Sequence, residues 1–396
     1  MLESLNSSSH PSSELMLEQA NDMRDSPEKV AWLEATIRQA DLEQNTEVAF
    51  EARDEMIDAA TWSGQAEKAM LAFAWCLNHH DQQLPEERDW WQNQNLLWRY
   101  KWILSSLENF PHIAAARVEA LFQDFETRLT QAGYGHRAVA HKRLNYALHR
   151  GDRPEAAKQF ERWQSLPQDS MADCTACEAN EVVSYHIFLD QHEQALKAAK
   201  PLLEKRLTCH SVPTTTYSNV LKPLLILGRL EEAVRYHKLG IRISGDADYL
   251  QSSANHLGFL ALTGNFGPAK RLIEKNLRLV LETRELKSKF EFLGATLTWL
   301  LCLERAEFDR VNLNLTASIP VETIANPRLQ KSKTYRIAAF KQWIESETKQ
   351  LATQFDTNIG RTEFAALLEQ CRQAVKYAID YPLPTKVEPG KAENKQ

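Results

Sequence analysis

Three cysteines are spaced as ligands of a thiophilic metal ion would be. Cys174 and Cys177 form a Cys-x-x-Cys pair behind Asp173, and Cys209 follows about one predicted repeat later. Asp173 is a helix-capping residue type, so we expect both thiols in the first turn of a helix, where the dipole lowers a thiol pKa. Cys209 precedes the next equivalent helix, which predicts that the three sulfurs converge. A structural zinc ion takes four ligands, and His210, which adjoins Cys209, is not an evident fourth.

The cysteine pattern leaves three interpretations open. A zinc site would make the protein a sensor or regulator. A redox dithiol would do the same, but no thioredoxin-like βαβ pattern surrounds the Cys-x-x-Cys pair. The third interpretation is that these are small buried residues near a tight helix start. Six cysteines in 396 residues are too few for a disulfide scaffold, which favours a reducing compartment.

A second group of residues is polar and falls on the first helices of successive predicted hairpins. Asparagine offers a donor and an acceptor to an extended peptide backbone, and lysine offers a charge to a carboxylate. The alternative is an ordinary solvated helix face. The candidate residues for binding a peptide or protein partner are Asn145, His149, Glu181, Asn219, Lys222, Gln251 and Asn255.

Several function classes lack support in the sequence. The chain has no GxGxxG, GxxxxGK[ST] or GxSxG motif, so we expect no enzyme and no catalytic residue. The less favoured alternative is an enzyme that uses a pocket between hairpins without a recognisable motif. Its 53 acidic and 47 basic residues are spread evenly, which argues against nucleic acid as a partner. No apolar run approaches the roughly 20 residues that span a bilayer, and we expect a cytoplasmic protein without a membrane partner. The oligomeric state stays open.

A recurring turn predicts the elements that must position both groups. A turn residue is followed five positions later by alanine in five places, and the last four turn residues are separated by 39, 38 and 36 residues. Helix hairpins that recur at this period stack into a solenoid. We therefore predict an all-α fold, a right-handed superhelical solenoid of antiparallel helix hairpins. The five pairs are Gly64 with Ala69, Gly151 with Ala156, Asp190 with Ala195, Gly228 with Ala233, and Gly264 with Ala269.

The turn residue and the alanine after it resemble the tetratricopeptide repeat superfamily. The repeats depart from the usual pattern, because large residues such as Leu144 and Leu257 stand seven positions before the turn glycine, where the family has a small one. In tetratricopeptide proteins that clamp a peptide, inner asparagines and basic residues hold the ligand, and Asn219, Lys222 and Asn255 resemble that arrangement. The resemblance implies a non-catalytic scaffold with its contact surface on the concave face.

Longer blocks resemble, more narrowly, an uncharacterised group of bacterial tetratricopeptide-like proteins. This resemblance supports the fold and implies no activity. The blocks that carry it are Leu96–Trp102, Asp173–Cys177, Leu207–Cys209, Pro223–Leu225, Leu260–Gly264 and Phe355-Asp356.

Composition and period divide the chain into five predicted parts. Large aromatic rings in a helix at about 87–107, Trp90 and Trp91 among them, are expected to pack in the core. Pro223 is expected to kink a helix at about 214–227. The parts are a disordered tail (1–26), aromatic-rich hairpins (27–135), regular repeats (136–281), a helical cap (282–380) with helices at about 285–304, 333–356 and 361–379, and a second disordered tail (381–396).

Overall fold

The computed structural model describes residues 11–84, 86, 89–243, 249–324 and 333–383. Helices dominate these residues, which confirms the predicted all-α class at the coarse level. The first six helices are α1 (Ser13–Asn21), α2 (Pro27–Glu43), α3 (Thr46–Thr61), α4 (Ala66–Gln82), α5 (Trp90–Ser106) and α6 (Ala115–Gln131).

The middle of the chain forms successive helix pairs. Their first members are α7, α9, the broken pair α11 and α12, and α14, and each of them packs against the helix that follows. The nine helices run as α7 (Arg137–His149), α8 (Arg153–Ser165), α9 (Thr175–Phe188), α10 (His192–Leu203), α11 (Thr214–Asn219), α12 (Leu221–Ile226), α13 (Leu230–Gly240), α14 (Leu250–Leu262) and α15 (Phe266–Glu282).

The predicted turns have one shared geometry. Each turn residue adopts the left-handed conformation that ends a helix in a Schellman motif, and the next residue donates its N–H to the carbonyl five positions back. The alanine five positions after each turn residue has no exposed surface, because the two helices of a hairpin meet there. The φ values are 70° at Gly64, 64° at Gly151, 58° at Asp190, 70° at Gly228 and 71° at Gly264.

Pro223 breaks its helix as expected. It has no N–H to donate to the Asn219 carbonyl, and helix α11 ends at Asn219 while α12 begins at Leu221. The first helix of this hairpin therefore consists of two short segments around Val220.

The C-terminal part differs from the predicted helical cap by containing a small antiparallel sheet. Strand β3 lies between β1 and β2, with Val311 and Thr323 both opposite Tyr335. The helix predicted at 333–356 therefore begins four residues later, because the first four residues pair as a strand. The elements are α16 (Leu286–Arg305), β1 (Arg310–Leu313), β2 (Thr323–Ile324), β3 (Lys333–Arg336), α17 (Ile337–Ile359) and α18 (Glu363–Gln373).

The C-terminal helices return to earlier parts of the chain. Arg150 Nη2, just after α7, donates to the Ile359 carbonyl at 3.2 Å, and Lys287 Nζ lies 2.8 Å from Glu108 Oε2. Asn358 Nδ2 donates to the Ile113 carbonyl at 2.8 Å. Helices α16 to α18 thus close against α7 and the 107–113 segment, instead of simply extending the array.

Both predicted disordered tails need correction. Helix α1 lies within residues 1–26, its Leu17 and Ala20 are buried, and Trp32 Nε1 donates to the Met16 carbonyl at 2.8 Å. At the other end, Tyr381 N donates to the Thr263 carbonyl at 3.2 Å. The remaining parts of the two predicted tails, 1–10 and 384–396, lie outside the described residues.

No helix in the described ranges combines the length and apolar composition required of a membrane span.

Candidate functional site

The start of α9 places the Cys-x-x-Cys pair. Cys174, with an extended backbone, is the N-cap, and its Sγ accepts the Cys177 N–H at 3.4 Å. The prediction that Asp173 caps this helix is therefore wrong by one residue. Cys174 is exposed and Cys177 is half-buried one turn into the helix.

The three sulfurs converge as predicted. Cys209 lies in the segment between α10 and α11, and its Sγ is 3.3 Å from that of Cys177. All three sulfurs lie within 4.8 Å of one another, and among the described residues no His, Asp or Glu joins them as a potential metal ligand. The ring of His210 instead packs edge-on against Trp62, with 5.2 Å between centroids. We call Cys174, Cys177 and Cys209 the thiol cluster.

The thiols of the cluster differ in acidity. Burial raises the pKa of Cys177, and its contacts with Cys174 and Cys209 raise it further. Burial also opposes ionisation of Cys209, but hydrogen bonds from Cys177 and from the backbone of Val212 outweigh it and lower the Cys209 pKa. Of these two thiols, Cys209 is therefore the more readily ionised.

Asp173 anchors a buried ionic cluster beside the thiols. Its Oδ1 accepts from Lys101 Nζ at 2.8 Å, and its Oδ2 lies 2.7 Å from Lys142 Nζ and 3.2 Å from His141 Nδ1. Burial opposes ionisation of Asp173, yet these cations hold its pKa well below the usual range. Lys101 also donates to the Met171 carbonyl at 2.8 Å. We call Asp173, Lys101, Lys142 and His141 the Asp173 cluster.

The sequence analysis missed this ionic cluster. Lys101 and Asp173 are 72 positions apart in different hairpins. A lysine within an aromatic helix does not indicate which distant residue it will contact. The sequence feature that could have indicated a buried ionic contact is the presence of Arg99 and Lys101 within an otherwise apolar stretch of α5.

Most of the predicted partner-binding residues share one side of the first helices. Hydrogen bonds run across from α7 to α9, from α14 to α11 and from α14 to α16. They join Asn145 Nδ2 to Glu181 Oε2 (3.2 Å), Asn255 Nδ2 to Asn219 Oδ1 (3.4 Å) and Gln251 Nε2 to Glu291 Oε1 (3.1 Å).

Lys222 and His149 differ from the other predicted residues. Lys222 is exposed on α12 and makes no hydrogen bond or ion pair to any residue that the structure describes. His149 is 8% exposed and packs against the rings of Phe355 and Phe364. Burial and two nearby cations hold its pKa well below the usual range. The predicted place of His149 on an accessible surface is therefore corrected, because α17 and α18 cover it. We call the other six, Asn145, Glu181, Asn219, Lys222, Gln251 and Asn255, the polar row.

Charged residues from α16 extend the polar row. Glu291 accepts from Gln251, and burial raises the pKa of Glu291 to about 7 against the opposing charge of Lys287. Lys287 in turn pairs with Glu108. The sequence analysis missed Glu291 and Lys287, because the return of α16 to this side of the array depends on long-range packing.

Comparison with protein-family models and with curated proteins finds no match to this chain.

Proposed function

We propose that this protein is a non-catalytic, tetratricopeptide-like scaffold that binds an extended peptide segment of a cytoplasmic partner protein along the polar row. The observation that supports the proposal best is the pair of hydrogen bonds that join polar side chains of neighbouring first helices, Asn145 to Glu181 and Asn255 to Asn219. A surface built in this way offers donors and acceptors at intervals along one direction, as an extended backbone requires. The proposal includes the predicted right-handed superhelical curvature, with the polar row on its concave side.

The hydrogen bonds within the polar row are suited to exchange. The bond between Asn255 and Asn219 is 3.4 Å long, beyond the usual N–H···O range. A peptide amide can replace one asparagine as partner of the other, because each side chain both donates and accepts. Such an exchange costs little, since one weak neutral hydrogen bond contributes about 1 kcal/mol or less.

Lys222 sets the expected chemistry of the partner. It is exposed and within reach of solvent, whereas the carboxylate of Glu181 is half-buried and already accepts from Asn145. A free lysine at such a position binds an incoming carboxylate through a charge-assisted hydrogen bond. We therefore expect a peptide with an acidic side chain or a free C-terminus at Lys222.

The test uses Lys222→Glu, with Lys197→Glu as a control of the same charge change. Lys197 is exposed on α10, on the second helix of a hairpin, and has no hydrogen bond or ion pair among the described residues. Partner proteins are captured from the native cells with wild type and both variants and identified by mass spectrometry. The binding segment is then synthesised and titrated calorimetrically.

The expected result is a defined peptide that binds wild type and Lys197→Glu equally and loses about tenfold or more in affinity, about 1.4 kcal/mol, with Lys222→Glu. Asn219→Ala should weaken the same peptide by a smaller factor. A partner that binds Lys222→Glu as tightly as wild type contradicts the proposal.

A further inference from the structure

We propose that Cys174, Cys177 and Cys209 are the ligands of a thiophilic d¹⁰ metal ion, Zn²⁺ or Cu⁺, bound between two neighbouring hairpins. This site goes beyond peptide binding and is independent of it, because it uses none of the residues in the polar row.

The geometry of the sulfurs is close to what such an ion requires. Zinc–sulfur bonds of roughly 2.3 Å around a tetrahedron separate the sulfurs by about 3.8 Å. The three sulfurs lie within 4.8 Å of one another and the closest pair is 3.3 Å apart. Side-chain movements of less than about an ångström therefore suffice to place all three at bonding distance from one ion.

The surroundings favour thiolates and give the ion a path in. The Cys177 N–H at the start of α9 already points at the Cys174 sulfur, and helix N-termini stabilise negative charge. Cys174 is exposed, so an ion can enter from solvent. Two lysines pair with the neighbouring Asp173, so its carboxylate is not an unpaired negative charge next to the thiol cluster.

The carboxylate of Asp173 is not available as a further metal ligand. Asp173 directs both oxygens to Lys101, Lys142 and His141. Three thiolates can complete the coordination of Cu⁺, whereas Zn²⁺ takes a fourth ligand from water or from a bound molecule. The donor set therefore consists of three sulfurs and selects soft ions over Mg²⁺ or Ca²⁺.

The other cysteines of the chain provide a contrast. Cys76, Cys302 and Cys371 each lie apart from other thiols, and burial raises the pKa of Cys76 to about 12 and of the other two to about 11. None of the three belongs to a group of three potential metal ligands among the described residues, so each lacks the further ligands that a soft ion requires. Cys371, which is half-buried, is thus a matched control position.

Metal binding would join two hairpins that already share a contact. Thr216 Oγ1 on α11 donates to Asn180 Oδ1 on α9 at 2.6 Å, one turn deeper than the thiol cluster. An ion held by Cys174 and Cys177 on one side and Cys209 on the other would hold these helix starts together. Bound metal should therefore raise the thermal stability of the protein, since it binds the folded state more tightly than the unfolded one.

The experiment measures metal binding to the whole chain, purified with a reductant and stripped with a chelator. Co²⁺ serves as the optical probe, because thiolate-to-cobalt charge transfer and d–d bands report sulfur ligation and tetrahedral geometry. Zn²⁺ and Cu⁺ are then titrated in competition assays under anaerobic conditions. The proteins compared are wild type, Cys177→Ser, Cys209→Ser and the control Cys371→Ser, each checked by circular dichroism and thermal melting.

The expected result is one Co²⁺ with thiolate bands in wild type and in Cys371→Ser, displaced by Zn²⁺ or Cu⁺, with a higher melting temperature in the metal-bound form. The affinity for the metal ion should fall by more than roughly 100-fold in Cys177→Ser and in Cys209→Ser. That factor is the upper end of the losses caused by substituting residues that only contact the ligands. Absent thiolate bands in folded wild type, or equal binding by Cys177→Ser and wild type, would overturn the proposal.

Discussion

The Asp173 cluster and the thiol cluster begin at adjacent residues, Asp173 and Cys174. They differ in how many of their polar atoms already have hydrogen-bond or ion-pair partners. Asp173 is 15% exposed, and both of its oxygens have cationic partners. Cys174 is exposed, and its sulfur accepts a single N–H at 3.4 Å. Carboxylate oxygens that already have cationic partners have no capacity left for a metal ion, whereas sulfurs that mainly contact each other do. The difference supports a stabilising role for the Asp173 cluster and is consistent with the metal binding proposed for the thiol cluster.

The Asp173 cluster also helps to position the thiol cluster. Lys101 on α5 and Lys142 on α7 hold Asp173, and Asp173 directly precedes the N-cap of α9. Their contacts fix the start of α9 relative to two other helices. A metal ion binds most tightly when surrounding groups hold the ligating side chains in position before the ion arrives.

Loss of Lys101 should have the largest effect on stability. Its side chain is fully buried, and Lys101→Met leaves Asp173 with one lysine and one histidine in a buried position. Breaking a buried ion pair from one side costs about 3–5 kcal/mol. The free energy of unfolding in urea checks this expectation.

A surface pair provides the control for Lys101→Met. Lys68 pairs with Glu34 at 2.9 Å with both side chains 36% exposed, and Lys68→Met should cost about 1 kcal/mol or less. If the two variants lose equal stability, the Asp173 cluster does not stabilise the fold in the proposed way. The double variant Lys101→Met/Asp173→Asn should recover part of the loss, because it removes the carboxylate that has lost one of its cationic partners.

Buried histidines make the stability of the protein depend on pH, and they do so in two opposite directions. His237 Nδ1 lies 3.1 Å from His256 Nδ1, and burial lowers their pKa values to about 4 and about 3. His141 has the opposite shift, because Asp173 and Glu181 raise its pKa against the effect of burial. Both His237 and His256 are packed in the interior.

Acid should destabilise the protein through His237 and His256. As pH falls below 6.5, the unfolded chain binds protons that the folded histidines do not, so stability declines until about pH 4. The His237 shift corresponds to about 3 kcal/mol over this interval. His141 acts in the opposite direction: its contribution is present below pH 6.5 and is lost as pH rises through its raised pKa.

Urea unfolding measured on both sides of pH 6.5 separates the two environments. His237→Asn should flatten the decline in stability below pH 6.5. His141→Gln should leave the slope below pH 6.5 unchanged and remove the gain in stability that wild type shows as pH falls towards 6.5 from above. Parallel pH profiles for the two variants would contradict the assigned directions.

The sequence predicted what depends on local rules. The five turn residues and their alanines were correct, because a Schellman turn and the contact five residues later involve one hairpin alone. Convergence of Cys209 with Cys174 and Cys177 followed from the repeat period, which brings equivalent helix starts together. The right-handed superhelix and the role of the polar row stay predictions.

Long-range packing decided what the sequence did not predict. Trp90 and Trp91 were expected in the core and are 59% and 69% exposed, since helical period identifies a face but not where its covering neighbour ends. Strand β3 pairs with β1, and the paired residues lie 20 positions apart (Leu313 and Lys333) to 26 positions apart (Arg310 and Arg336). Helix α1 was missed because the Ser-rich composition of the first residues outweighed a short apolar pattern at Met16, Leu17 and Ala20.

The smallest expected effect on stability is that of Cys174→Ser without metal. The Cys174 side chain is exposed, and serine is a preferred N-cap residue that can accept the Cys177 N–H in place of sulfur. We expect the free energy of unfolding to change by about 0.5 kcal/mol or less. Thermal melts with and without Zn²⁺ should then show a metal-dependent rise for wild type and little or none for Cys174→Ser. A large loss of stability in the metal-free variant would mean that Cys174, like Asp173, stabilises the start of α9 by itself, and the contrast between the two clusters would fail.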